Sequence, residues 1–179
     1  MMSAQFTTIG HSNRDLGEFL GMLRAAGIGT LVDVRAFPRS RSNPAYNIDR
    51  LPDALKSVGI GYRHVPALGG WRPRQHAIPA EVNALWRVES FHNYADYALG
   101  DDFAGAFEEL LDLGRECRLV LMCSEALWWR CHRRIITDYL LLNGHAVDHL
   151  MASGHVEPAS PTPGARRTPQ GKVVYPALP

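Results

Sequence analysis

Along this chain, short apolar runs alternate with stretches in which apolar positions recur every three or four residues. Runs of the first kind predict strands at residues 6–10, 30–35, 61–65, 118–123 and 146–150. The helical spacing appears at 15–26, where Leu16, Phe19, Leu20 and Leu23 share a face and Gly27 stands beyond. It returns at 48–58 (Leu51 and Leu55, with Gly59 beyond), at 91–117 as two helices meeting near Gly100, and at 128–143 before Gly144. Short apolar strands alternating with helices predict an α/β fold, a three-layer αβα sandwich with a mostly parallel sheet of about five strands.

Two stretches break the rhythm. Residues 66–90 hold three prolines and little periodicity, and a connection that long inside a compact domain reads as a loop or lid. Residues 154–179 hold six of the twelve prolines and read as an arm beyond a single domain at 1–153. Val173-Val174-Tyr175 is apolar enough to dock, but the composition favours a frayed tail.

With 179 residues, 46% hydrophobic and 21% charged, the chain has enough apolar surface for one core without staples. The net charge of +1 makes no bulk case for nucleic acid or membranes. The 19 basic residues nevertheless include only two lysines, Lys56 and Lys172. That bias fits a GC-rich coding sequence, and it also fits a need for planar forks that grip anions. Three cysteines and no secretory pattern at residues 1–8 lead us to expect a reducing, cytoplasmic setting. No run of 18 apolar residues exists, so no membrane partner is expected.

Chemistry-bearing residues gather at the carboxyl ends of the predicted strands. The first strand runs into His11-Ser12-Asn13-Arg14, the second carries Asp33 and ends at Arg35, and the third carries His64. The fourth ends at Cys123-Ser124-Glu125, and the fifth carries Asp148 and His149. Ligand crevices of open parallel sheets lie outside that edge, which predicts one shared site. A carboxylate inside the Leu31-Val32-Asp33-Val34 run needs a partner. Pro38 and Pro44 keep the next segment irregular, so Arg35, Arg39 and Arg41 ride on a loop suited either to solvent or to clamping an anion. In the 66–90 connection, Gly69-Gly70-Trp71-Arg72 combines a permissive backbone with an aromatic and a cation.

The densest chemistry is the segment from Cys123 to Arg133. A thiol closing a buried strand just before a helix is favourably placed to ionise. If the helix starts at Trp128, then Trp128, Cys131, His132, Ile135, Tyr139 and Leu142 form its inward stripe. Arg130 and Arg134 then face solvent, with Arg133 on the flank. On this reading His132 partners Cys123, Glu125 helps orient the pair, Cys131 fills space, and Cys117 is structural. The Cys123-to-Cys131 gap exceeds the roughly two-to-four-residue gap of zinc knuckles and there is no second pair, so no metal and no cofactor are expected. A metal site assembled from distant strand ends stays open. The Cys123-to-Arg130 spacing, filled by two tryptophans and no glycine, does not make the phosphate-cradling loop of cysteine phosphatases.

As an ordered set, Thr8-Ile-Gly-His-Ser-Asn13, Leu31-Val-Asp-Val-Arg35 with Pro38-Arg-Ser-Arg41, Leu68-Gly-Gly70 with Arg72, and Met122-Cys-Ser-Glu125 with Cys131-His-Arg133 resemble the bacterial domain-of-unknown-function family 488. The resemblance implies an α/β three-layer fold and a Cys…Glu…Cys-His-Arg signature, and it brings no established reaction. Two functions follow as expectations. The first is an enzyme with Cys123, Glu125, His132, His11 and Asp33 as catalytic candidates. Its anionic, nucleotide-like substrate would be held by Ser12, Asn13, Arg35, Arg39, Arg41, His64, Gly69, Gly70, Arg72 and Arg133. The second is a non-catalytic module that captures nucleotide or nucleic acid through the arginine loop and Trp71.

Overall fold

The computed structural model describes residues 4–179; the first three positions of the expected domain lie outside the described residues. Its element order is β1 (Phe6–Gly10), α1 (Leu16–Ala25), β2 (Thr30–Asp33), α2 (Leu51–Lys56), β3 (Gly61–His64), α3 (Glu89–Tyr97), α4 (Asp101–Glu116), β4 (Leu119–Cys123), α5 (Arg133–Leu142) and β5 (Val147–Leu150). Three short strands follow, β6 (Val156–Pro158), β7 (Arg166–Arg167) and β8 (Val173–Val174).

Six strands form one sheet in the order β3-β2-β4-β1-β5-β6. The first five are parallel, and β6 joins antiparallel to β5. Alternation along β4 shows why helices are needed on both faces. Leu119, Leu121 and Cys123 enter the core beneath α3, α4 and α5, while Val120 and Met122 enter the one beneath α1 and α2. The architecture is the expected αβα sandwich, with one strand more than the apolar runs announce.

The connection after β1 crosses the α1 face and the connection after β4 crosses the α5 face, yet β1 and β4 are neighbours. Chain therefore departs in opposite directions from their carboxyl ends and leaves a crevice between them. The register sets Gly10 beside Cys123, and the next peptides continue the ladder, His11 N–H donating to the Cys123 carbonyl at 2.9 Å and Ser12 N–H to that of Ser124 at 2.9 Å. Gly10 is required there, because a Cβ would stand 1.9 Å from the Glu125 carbonyl oxygen.

The carboxyl-terminal arm is docked rather than frayed. Val173 and Tyr175 are fully buried in the larger core. The Tyr175 hydroxyl donates to Asp138 at 2.7 Å, and its N–H donates to Asn83 at 2.9 Å. Proline content predicts an irregular backbone, but one buried tyrosine with both polar groups satisfied is enough to anchor it.

Candidate functional site

At the crevice floor two sulfurs eight residues apart in sequence converge. The segment after β4 folds into a 3₁₀ turn, Trp128–Arg130, and Cys131 is extended before α5 begins at Arg133. The expected helix start at Trp128 is thus five residues early. Trp128 stacks instead on the buried His149 ring, 4.5 Å between centroids, which holds the loop off the helical path. Because the loop returns, Cys123 Sγ, Cys131 Sγ and a ring nitrogen of His132 lie within 4.8 Å of one another.

Cys131 sits where a thiolate is best solvated by protein. The Arg133 N–H, the first of α5, points at its sulfur at 3.5 Å, and the Arg133 Nε at 3.4 Å. His132 Nδ1 is 3.6 Å from the same sulfur, while His132 Nε2–H donates to the Val34 carbonyl at 2.8 Å. That second bond fixes the tautomer and turns Nδ1 toward sulfur. Burial alone would raise Cys131; the S–H of Cys123, the His132 ring and the Arg133 guanidinium overcome it and pull this thiol well below its usual range. Cys123 moves the other way, raised by its hydrogen bond to Cys131 and by burial. The N–H donors around the pair converge on Cys131, not on Cys123. Sequence reasoning treated Cys131 as filler, although a cysteine just ahead of a helix start was the available signal.

Arg133 is also misplaced by periodicity: it is 1% exposed rather than on a solvent flank. It donates to the Glu125 carbonyl and to the Thr8 hydroxyl, and among the described residues no carboxylate pairs with it. The Thr8 hydroxyl meets His149 Nδ1 at 2.7 Å, and burial lowers His149 to about 3, so this ring is neutral.

The other predicted residues divide into groups that reach the crevice and groups that do not. Asp33, fully buried, takes Arg35 Nε at 2.9 Å and NH2 at 2.7 Å, with the Tyr62 hydroxyl on the same carboxylate. Arg35 NH1 then donates to His11 Nε2 at 3.3 Å, and His11 Nδ1–H donates to the Ser12 carbonyl at 2.8 Å. Burial lowers His11 to about 4, and its ring stacks on Tyr46 at 4.4 Å. His64 Nε2–H supports the Arg35 carbonyl at 2.9 Å. Asp33, His64 and Tyr46 therefore position Arg35 and His11.

Gly69 packs against the Ala36 backbone, and Gly70 lies flat on the imidazole, where a Cβ would meet His132 Nδ1 at 3.1 Å. Arg72 binds the Gly69 and Pro66 carbonyls and covers the Tyr97 ring at 3.9 Å. Glu125 does not touch sulfur: its carboxylate is exposed and accepts the Leu127 N–H at 3.2 Å. Arg39 pairs with Asp49 at 3.1 Å on the surface. Arg41 and Asn13 are exposed and line none of the clefts around the cysteines, and Ser12 takes part through its backbone at φ 46°.

Two clefts open on Cys123, and the larger of them also reaches Cys131. One of about 740 Å³ is lined by Arg72, Tyr94, Glu125, Arg130, Cys131 and His132 among others. A second of about 300 Å³ is lined by His11, Arg35, Phe37 and Arg39. Gly70, Trp71, Cys123 and His132 border both. Trp71 stands over the junction, 87% exposed, with φ at 58°, a strained value for a bulky side chain.

Two thiols and an imidazole aimed at one point are also a donor set for a soft divalent cation, with a fourth position facing the larger cleft. No helix among the described residues is long and apolar enough to cross a membrane. Comparison with curated proteins and with solved structures found no match in either. A family match covers residues 15–140, well over half of the chain and every element from α1 to most of α5. The protein belongs to the family of the domain of unknown function DUF488.

Proposed function

We propose that this protein is a thiol-dependent enzyme that acts on an anionic substrate, with the Cys131 thiolate as nucleophile. One observation carries the reading: among the described residues the buried Arg133 guanidinium has no carboxylate partner, and the ionisable side chain it contacts directly is Cys131. A buried cation without a counter-charge costs several kcal/mol, so an unpaired one is a strong argument for an anion next to it. His132, held by the Val34 carbonyl, is the group that carries a proton to or from the reacting sulfur. Cys123 lies beside this sulfur and fronts both clefts. Arg35, fixed by Asp33, and Arg39 are the anchors for substrate charge in the smaller cleft.

Iodoacetamide labelling across pH, with the modified cysteine identified by mass spectrometry, tests this reading. Cys131 should react with a midpoint well below the ordinary thiol value of about 8.5. An ordinary midpoint at Cys131, or labelling confined to Cys117, would overturn it.

A second reading is favoured by the clustered donors, namely a Cys₂His metal centre at the same three side chains. Cobalt(II) titration separates the two. An equimolar thiolate-to-metal absorption band that disappears in Cys123→Ser would establish the metal centre. Fast alkylation without such a band would establish the free thiolate.

A further inference from the structure

The groove over the cysteines continues beyond the two clefts that open on them. A third, polar cleft of about 340 Å³ adjoins the largest one, sharing Glu89 and Asn93 with it. Together the three exceed the ~300–1,000 Å³ of an ordinary small-ligand pocket. Arginines are spread along the whole path instead of converging on one point: Arg35 and Arg39 at one end, Arg72 and Arg130 in the middle, Arg74 and Arg87 at the other end. Arg72, Arg74, Arg87 and Arg130 have no carboxylate within ion-pair distance among the described residues. Facing them are Glu89, Glu125 and Asp96, and Asp96 is already engaged by Asn83 at 2.7 Å and by His92 at 3.5 Å. A molecule of net charge +1 has therefore concentrated free cations along one groove.

Aromatic faces accompany the cations. Trp71 is 87% exposed on a strained backbone above the cysteine pair, and Phe37, 72% exposed, flanks the small cleft. Holding a tryptophan in the left-handed region and leaving it in water is unfavourable twice over, which a planar ligand stacked on the indole would offset. Phosphates spaced along a groove with bases laid on exposed rings is the recognition mode of single-stranded nucleic acid.

We infer that the substrate is a single-stranded polynucleotide lying along this groove, with a base stacked on Trp71 above the cysteine pair. The inference rests on the thiol-enzyme reading for what happens at sulfur and stands separately on charge and exposed rings for what binds. The fluorescein-labelled oligonucleotides dT12 and rU12, with dTMP as competitor, test it by anisotropy at several salt concentrations. Binding should weaken with salt with a slope of about −2 to −3 in log–log form, as expected for three or four arginine–phosphate contacts at about −0.7 each. Trp71→Ala should cost about five- to a hundredfold in affinity. Arg74→Ala with Arg87→Ala, both exposed, should flatten the slope by about 1.4 while leaving Cys131 alkylation unchanged. Comparing dT12 with rU12 assigns the strand to DNA or RNA. Absence of oligonucleotide binding at low salt, dTMP competing as well as dT12 mole for mole, or a full slope in the double variant would each overturn the inference. Binding that persists when Cys131 shows an ordinary thiol midpoint would instead remove the enzyme reading and leave the groove.

Discussion

Replacing Arg133 by Met isolates the contact on which the chemistry depends. The guanidinium Nε lies 3.4 Å from Cys131 Sγ, and at an effective dielectric of about 20 two unit charges at that distance attract by about 5 kcal/mol. That figure is a ceiling. Hydrogen bonds to charged groups contribute about 1.5–3 kcal/mol net, or roughly one to two pKa units at 1.36 kcal/mol each. Arg133→Met should therefore raise the Cys131 midpoint by about that much and slow its alkylation at pH 6 by about ten- to a hundredfold. A thiolate that loses its partner takes up a proton and leaves no buried charge, so stability should fall only through the acceptors left behind. The Glu125 carbonyl and the Thr8 hydroxyl lose a donor, a cost of about 1–3 kcal/mol visible in Tm. Stopped alkylation aliquots analysed by mass spectrometry at pH 5–9, with Tm measured alongside, provide both readouts. A variant that labels Cys131 at pH 6 as fast as the wild type would refute the electrostatic argument.

Asp33→Asn should behave oppositely, losing about 3–5 kcal/mol in urea unfolding, since Arg35 cannot shed its charge when the buried carboxylate goes. Gly70→Ala should slow Cys131 alkylation with little change in Tm, because the new methyl meets His132 Nδ1 at 3.1 Å and must displace the ring. Acid should destabilise the protein from pH 6.5 downward. His11 falls from 6.5 to about 4 and His149 to about 3 on folding, so below pH 6.5 the unfolded chain takes up protons that the folded one refuses. His11 contributes about 3 kcal/mol and His149 about 5 kcal/mol, each lost as pH drops toward its folded value, and His149→Gln should flatten the curve in urea titrations at pH 4–7. Tyr175→Ala should cost about 3–5 kcal/mol in chemical denaturation, whereas an arm that merely trails would tolerate it.

Strand ends were legible in the sequence because apolar runs terminate where the sheet does. Gly10 and Cys123 fall at the edge their runs indicate, Asp33 ends β2 two residues before the expected Arg35, and the parallel order brings all three together. What stayed hidden depends on tertiary partners. Arg133 follows a helical pattern and reads as flanking the inward stripe, since nothing local announces the Thr8 hydroxyl and the sulfur that make its full burial tolerable. The late start of α5 follows from Trp128 stacking on His149, a contact that spans the whole of α5 in the chain. β6 is three residues long and ends in Pro158, too short and too irregular for periodicity to register, yet it completes the sheet.

The same accounting explains why these polar groups sit together. Asp33 and Arg35, His11 and His149, and Arg133 are all buried, and each would be cheaper as an apolar residue of similar size. They lie around one crevice and not through the core at large. Asp33 holds Arg35, Arg35 holds His11, Thr8 links His149 to Arg133, and Arg133 faces Cys131. His11, Arg35 and Cys131 border the groove while Asp33, Thr8, His149 and Arg133 lie behind them, so rigidity runs from the core to the surface. A scaffold needing only stability would have filled those positions with leucine and valine, as it does in the layer beneath α1 and α2. Placing this cost beside the carboxyl ends of β1, β2 and β4 fixes one guanidinium beside His11 and another beside the Cys131 sulfur, the preorganisation that the proposed sulfur nucleophile would use.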